Sequence, residues 1–173
     1  MVEALGTLAF DYPPRAKFFR GQLTQHFLLS REEGKNPLSM KGSYAGAMGY
    51  GQFIPSSYRS YAVDFDGDGV RDIWSNKTDA IGSVANYFAE NGWRGQRDVV
   101  ERVSVAAETA ELKSLANGAL KPTRTVAEWR DLGVQVSAEQ PANRIATLMR
   151  MQQPESAEYW LGFEDFYAIT RYN

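Results

Sequence analysis

Gly42-Ser43-Tyr44-Ala45-Gly46-Ala47-Met48-Gly49-Tyr50-Gly51-Gln52-Phe53-Ile54-Pro55-Ser56-Ser57-Tyr58 runs almost directly into Asp64-Phe65-Asp66-Gly67-Asp68-Gly69. In the first segment small residues alternate with amphipathic aromatics. Glycine lets a backbone approach a ligand closely, and the flat faces of tyrosine suit stacking on sugar rings. The segment therefore reads as the floor of a carbohydrate cleft. Packing of two helices through the glycines is the plainer alternative.

The second segment follows the EF-hand pattern. Asp64, Asp66 and Asp68 fall at positions 1, 3 and 5 of such a loop, and Gly69 falls at the sharp turn at position 6. Val70 at position 7 offers its backbone carbonyl, and Asp72 falls at position 9. Four aspartates within nine residues repel one another without a cation, and calcium is a hard cation that takes six to eight oxygens. Position 12 departs from the pattern, with Ser75 where glutamate is usual. A longer loop closed by Asp79 repairs it, at a place in the first turn of a helix where negative charge is favourable. The metal set is thus Asp64, Asp66, Asp68, Val70 and Asp79, and calcium is expected as a structural cofactor. A single loop argues against a sensor.

The composition excludes several classes. With 19 basic and 21 acidic residues and no block of like charge, nothing marks a nucleic-acid footprint or a basic membrane-surface helix. There is no cysteine and one histidine, His26, so zinc and Ser-His-Asp chemistry have nothing to build on. His26 is expected to be packed or solvated. No apolar run approaches the ~20 residues of a bilayer span, and the start at Met1-Val2-Glu3-Ala4 has no signal-peptide character.

Outward from the opening stretch, Pro13-Pro14 starts a helix whose stripe is Phe19, Leu23 and Phe27 with Leu28, stopping at Gly34. Thr78 is the expected N-cap of a second helix with Ile81, Val84, Ala85 and Phe88 inside, closed by Asn91-Gly92. Val99, Val103 and Val105 suggest an extended piece. Glu111–Asn117 is a short helix ended by Gly118. Thr125 caps Val126–Leu132, with Gly133 as its stop. Ile145–Met151 and Tyr159–Leu161 are strands around a turn at Pro154-Glu155-Ser156, and Phe163–Tyr172 is helical. The expected organisation is a mainly α chain with a small α+β excursion. It has a helical core at 1–94 with the calcium loop at 64–79, a small α+β lobe at 95–162, and a helix at 163–173 returning to the core.

These motifs resemble the B-type membrane-bound lytic murein transglycosylases of glycoside hydrolase family 103. The resemblance rests on Gly42 to Phe53, on the loop Asp64 to Trp74, and on Asp79-Ala80-Ile81-Gly82-Ser83-Val84-Ala85-Asn86-Tyr87-Phe88. At the two ends it rests on Ala4 to Phe10 and on Phe166 to Asn173. It implies a lysozyme-like fold with a long EF-hand-like loop. It also implies non-hydrolytic cleavage of the β-1,4 bond between N-acetylmuramic acid and N-acetylglucosamine. One glutamate protonates the leaving oxygen and then serves as base on the muramyl C6 hydroxyl, closing a 1,6-anhydro ring, unlike two-carboxylate glycosidases. The implied partners are peptidoglycan strands in the bacterial periplasm, with outer-membrane anchoring through a segment outside this sequence. By motif match, Ser43 and Gln52 line the cleft near the reacting sugar, Tyr87 lies along the glycan, and Tyr172 with Asn173 closes the site. Packing against Phe88 is the alternative for Tyr87.

The resemblance also exposes a gap. The family's acid sits in Glu-Ser/Thr-x-aromatic-Gly, before the segment matched by Ala4 to Phe10, and the pattern occurs nowhere here. Glu3 does not fit it, and Glu32-Glu33 falls where the family has a charged surface turn. The expectation is an internal piece of a longer enzyme or a truncated gene product, with no catalytic residue of its own and inactive alone. Two other readings are a non-catalytic peptidoglycan-binding domain stabilised by calcium and a calcium-dependent interaction module with no sugar role. The second leaves Ser43 to Gln52 unexplained.

Overall fold

Helix α2, Ala16–Glu32, follows a 3₁₀ turn at Pro13–Arg15 and ends where Gly34 takes φ +61°, the left-handed conformation that glycine adopts at little cost. Its buried face is not the Phe19–Leu23–Phe27 stripe. It runs through Phe19, Gln22, His26, Leu29 and Ser30, while Phe27 is 47% exposed. Three polar residues on the inner face hid the period, and each has a hydrogen-bond partner. Gln22 Oε1 accepts the backbone N–H of Ser56 at 3.0 Å, and Ser30 Oγ donates to the carbonyl of His26 at 2.7 Å. The His26 Nε2 lies 3.0 Å from the carbonyl of Pro37 and donates to it. Burial holds His26 below its ordinary pKa, so the neutral ring is a core residue.

The structure is a computed structural model describing residues 1–95 and 98–172. The chain divides into two compact units, Met1–Tyr87 and Phe88–Asn173. In the first unit, α1 (Val2–Phe10) packs on α2 through Leu5, Ala9 and Phe19. The sequence reading gave α1 no helix, because its glycine and threonine interrupt a short apolar run. Helix α3, Pro55–Tyr61, begins with the proline at its first position, and the Gln22 side chain takes the following N–H. Helix α4, Lys77–Glu90, crosses the division.

The face of α4 also differs from expectation. Ile81 is 70% exposed, and the buried residues are Asp79, Ala80, Gly82, Ser83 and Tyr87. Thr78 lies inside the helix rather than at its cap. Asn76 performs the capping, its Oδ1 accepting the N–H of Thr78 at 3.0 Å and, more distantly, that of Asp79.

The second unit is built on an antiparallel sheet in the order β2-β4-β5-β1-β3. Its strands are β1 (Val100–Val105), β2 (Arg124–Thr125), β3 (Val134–Gln135), β4 (Ile145–Gln152) and β5 (Ala157–Gly162). Helices α5 (Ala110–Leu115) and α6 (Val126–Asp131) lie between strands, and α7 (Glu164–Thr170) follows β5. The β4–β5 hairpin pairs Leu148 with Leu161 and Arg150 with Tyr159. Thr125 and Glu128 form a capping box on α6, and Gly133 at φ +86° ends that segment as the sequence suggested. The core gathers Leu112, Val126, Trp129, Leu148, Leu161 and Phe163. Each such side chain, fully buried, contributes about 1.5–3 kcal/mol. Trp129 is buried with its N–H spent on the carbonyl of Ala146 at 3.2 Å.

Candidate glycan site and metal loop

The segment Gly42–Phe53 folds as two tight turns held to the rest of the first unit by its glycines. Ser43 N–H donates to Ala47 O at 2.7 Å, and Ser43 Oγ accepts the N–H groups of Ala47 at 3.1 Å and Ala45 at 3.3 Å. That pins the Ser43 side chain and leaves its O–H proton able to donate outward. Met48 and Phe53 bridge the second turn with N–H···O distances of 2.8 and 3.0 Å, and both side chains are buried. Gly49 has φ +60°, and a Cβ there would lie 2.3 Å from the carbonyl oxygen of Ile73. That close approach lets the Tyr50 N–H reach the same oxygen at 2.8 Å.

Gln52 sits at the exposed tip of this turn. It is one of two non-glycine residues with positive φ among those described, at 51°. Its Nε2 donates to Gly49 O at 2.9 Å, leaving the amide oxygen outward. A strained, exposed amide held by a rigid turn points to a functional constraint. Tyr44 (90% exposed) and Tyr50 (58%) are the exposed tyrosines of the same segment.

For Tyr87 the sequence left two alternatives, a place along the glycan and packing in the core. Tyr87 is 7% exposed, edge-on to Tyr61 with centroids 4.7 Å apart and 6.1 Å from Phe53. It backs the turn from inside. Tyr172 belongs to the second unit, where its ring stacks on Phe88 at 5.4 Å. Asn173 lies outside the described residues.

The metal loop is organised around Asp79, which is fully buried. Its Oδ1 accepts the N–H of Phe65 at 2.8 Å and its Oδ2 that of Asp72 at 2.9 Å. The Asp72 N–H and then that of Phe65 hold its carboxyl below the usual range, outweighing burial. Asp64 Oδ1 accepts Gly67 N–H at 2.7 Å, and its Oδ2 accepts Gly69 N–H at 2.8 Å. One oxygen each from Asp64, Asp66 and Asp79 lies within 4.8 Å of the others. Asp68 stands outside that group, its Oδ1 accepting the N–H of Val70 at 2.8 Å. Asp72 turns its oxygens to Trp74 N–H, Ser75 N–H and the Ser75 hydroxyl.

Two supports escaped the sequence reading. Asn76 caps α4 and also donates to Asp66 Oδ2 at 2.7 Å. Its position three residues before Asp79 was the available signal. Phe65 lies against Gly82, where a Cβ would come within 2.4–2.5 Å of three of its carbons.

Neither glutamate of the Glu32-Glu33 pair is a poised acid. Glu32 is held by the Arg59 guanidinium through both oxygens, at 2.9 and 2.5 Å, and Arg59 keeps it below the usual carboxylate range. Glu33 is paired with Arg71.

The whole chain, residues 1–173, matches the model of the transglycosylase SLT domain family. It is 44% identical over 174 residues to membrane-bound lytic murein transglycosylase B of Escherichia coli (strain K12), covering all of this chain and 46% of that protein. Among solved structures, soluble lytic transglycosylase SltB1 from Pseudomonas aeruginosa superposes with a TM-score of 0.89 at 50% identity, over 98% of this chain and 56% of that one. The Escherichia coli lytic transglycosylase Slt35, solved in complex with calcium and with bulgecin A, gives a TM-score of 0.81 at 44% identity, over 98% of this chain and 52% of that one. The chain thus spans about half the length of the relatives it matches. Its helices and antiparallel sheet are those of the lysozyme-like lytic transglycosylase fold, and the chain belongs to the lytic murein transglycosylases.

Proposed function

We propose that this chain supplies the glycan-binding floor and the metal brace of a peptidoglycan lytic transglycosylase acting in the bacterial periplasm. The reaction is cleavage of the N-acetylmuramic acid–β-1,4–N-acetylglucosamine bond without water, leaving a 1,6-anhydromuramyl end. The observation that carries the reading is the Gln52 turn, a strained polar tip in a segment with two exposed tyrosines, in a chain that matches the transglycosylase family from end to end. Gln52 hydrogen-bonds an N-acetyl group, the Ser43 hydroxyl donates to the same sugar, and Tyr44 and Tyr50 offer stacking faces. Tyr87 stiffens the turn from behind through Phe53. Tyr172 keeps, with Asn173, the site-closing role that the resemblance gives it.

Calcium is the proposed structural ion, in keeping with the relative solved with calcium. The donor set fits a hard cation, with three carboxylates converging and one of them buried. Asp64, Asp66 and Asp79 would hold it, and Asp68 and the Val70 carbonyl would complete the shell. The ion supplies charge compensation to the loop and takes no part in bond cleavage.

The acid is proposed to lie outside this chain, since Glu32 and Glu33 are committed to arginines. The test is incubation of the purified chain with sacculi, followed by sedimentation and mass spectrometry of the soluble fraction. The expected result is co-sedimentation that Gln52→Ala weakens, with no anhydromuropeptides released. Failure to sediment with sacculi refutes the glycan reading, and release of anhydromuropeptides refutes the placement of the acid.

A further inference from the structure

Beside the metal loop, in the same unit, lies a concavity of about 390 Å³ lined by Lys35, Met40, Lys41, Val70, Asp72 and Trp74. The Trp74 indole is fixed in place. Its N–H donates to the Lys41 carbonyl at 3.0 Å, and Tyr58, fully buried, packs on it with centroids 5.5 Å apart. The Tyr58 side is therefore interior. The Lys35 ammonium stands 4.8 Å from the ring centroid. Asp72 accepts from Trp74 and Ser75 and keeps its negative charge, so with Lys35 and Lys41 beside it the lining is positive on balance.

We propose that this concavity is an auxiliary subsite for a carboxylate-bearing sugar residue of a glycan strand. The sugar's C–H face lies on Met40, Val70 and the edge of Trp74, and its carboxylate pairs with Lys41 and with the Lys35 ammonium that stands over the indole. The inference deepens the proposed function and rests on it. Continuity with the turn favours this occupant. Lys41 directly precedes Gly42, and Trp74 follows Ile73, whose carbonyl holds Tyr50 N–H at 2.8 Å. One repeating polymer can therefore engage both places, and the second contact gains from being intramolecular. The carboxylate is either the lactyl group of a peptide-free muramyl residue or a carboxylate of the stem peptide.

The test follows the Trp74 indole N–H by 15N NMR, assigned with Trp74→Phe, while three probes are titrated. These are the N-acetylglucosaminyl-N-acetylmuramic acid disaccharide, the same disaccharide carrying a stem peptide, and di-N-acetylchitobiose. One or both muramyl probes should shift the resonance at least about tenfold more tightly than chitobiose. The more effective of the two identifies the carboxylate. The double substitution Lys35→Gln/Lys41→Gln should remove that preference without lowering the melting temperature, and Gln52→Ala should leave the Trp74 shift in place. A silent Trp74, an equal response to chitobiose, or a preference that survives the double substitution overturns the subsite. If sacculus binding still depends on Gln52 in that event, the function proposed above stands and only this inference falls.

Discussion

The backbone N–H of Phe65 donates to the buried carboxylate of Asp79 at 2.8 Å, tying the start of the metal loop to the first turn of α4. Because the hydrogen bonds favour the ionised form, the folded-state pKa of Asp79 lies below its unfolded value of about 3.9. The stabilisation is present above that unfolded value and is lost as pH falls through the lower folded value. Asp79→Asn should therefore lower the melting temperature at pH 7, and the deficit should shrink as the pH is taken below about 3.9. Thermal melts from pH 7 to pH 2 with calcium chelated measure it. A deficit independent of pH would contradict the account.

Calcium should raise the melting temperature. At a hundredfold excess over Kd, binding to the folded state alone contributes about 2.7 kcal/mol, on the order of 5–10 °C for a chain of this size. Asp64→Asn should abolish the rise, because Asp64 is one of the three converging carboxylates. A melting curve indifferent to EGTA in the unmutated protein would remove the metal from the description.

Gly49→Ala should cost roughly 2–4 kcal/mol, combining a left-handed backbone with a Cβ driven into the Ile73 carbonyl. Gly67→Ala is the control, since Gly67 has φ +78° but open space around it. It should cost only the backbone term, about 1–2 kcal/mol. Urea unfolding of the pair separates the two effects.

Gln52→Gly should part stability from binding. Glycine relieves the φ of 51°, so stability should hold or rise by up to about 1 kcal/mol. Sacculus binding should still fall, because the amide is gone. Urea midpoints and co-sedimentation on the same preparation give both readings.

In the second unit, Glu108 accepts the Tyr159 hydroxyl at 2.5 Å and Arg150 Nε at 3.0 Å, with Lys113 Nζ at 2.6 Å. Lys113, then Tyr159 and Arg150, pull its pKa to about 2. Its stabilisation is full above the unfolded pKa and disappears as pH drops from about 4.3 towards 2. Glu108→Gln should lower stability at pH 7 and match the unmutated protein near pH 2, as read by circular dichroism across that range.

How far the sequence carried these conclusions differed from place to place. Turn chemistry was legible, as Gly34, Gly133, the Thr125 cap and the β4–β5 hairpin show, because those signals are local. The inner faces of α2 and α4 were not, because Gln22, His26, Ser30, Asp79 and Ser83 are buried on them. A polar residue enters a core when a hydrogen-bond partner satisfies it, and partners such as Ser56 for Gln22 and Pro37 for His26 are invisible in the local period. The same reason hid Asn76, whose value depends on Asp66 being folded back beside it. The short edge strands β2 and β3 went unread because two residues hold no period. The aspartates of the loop were readable by spacing, but their grouping was not, since Asp68 turns to its own backbone.

Gly82 gives the loop an off-switch independent of its carboxylates. Phe65 rests where any larger residue would place its first carbon, so Gly82→Ala would lift the loop from the helix while leaving every oxygen donor chemically unchanged. The acidic residues set which ion is held, and a hydrogen in place of a methyl group on the neighbouring helix sets whether the cradle closes. A protein engineer seeking a metal-free, loosened variant could begin on that helix without touching an aspartate.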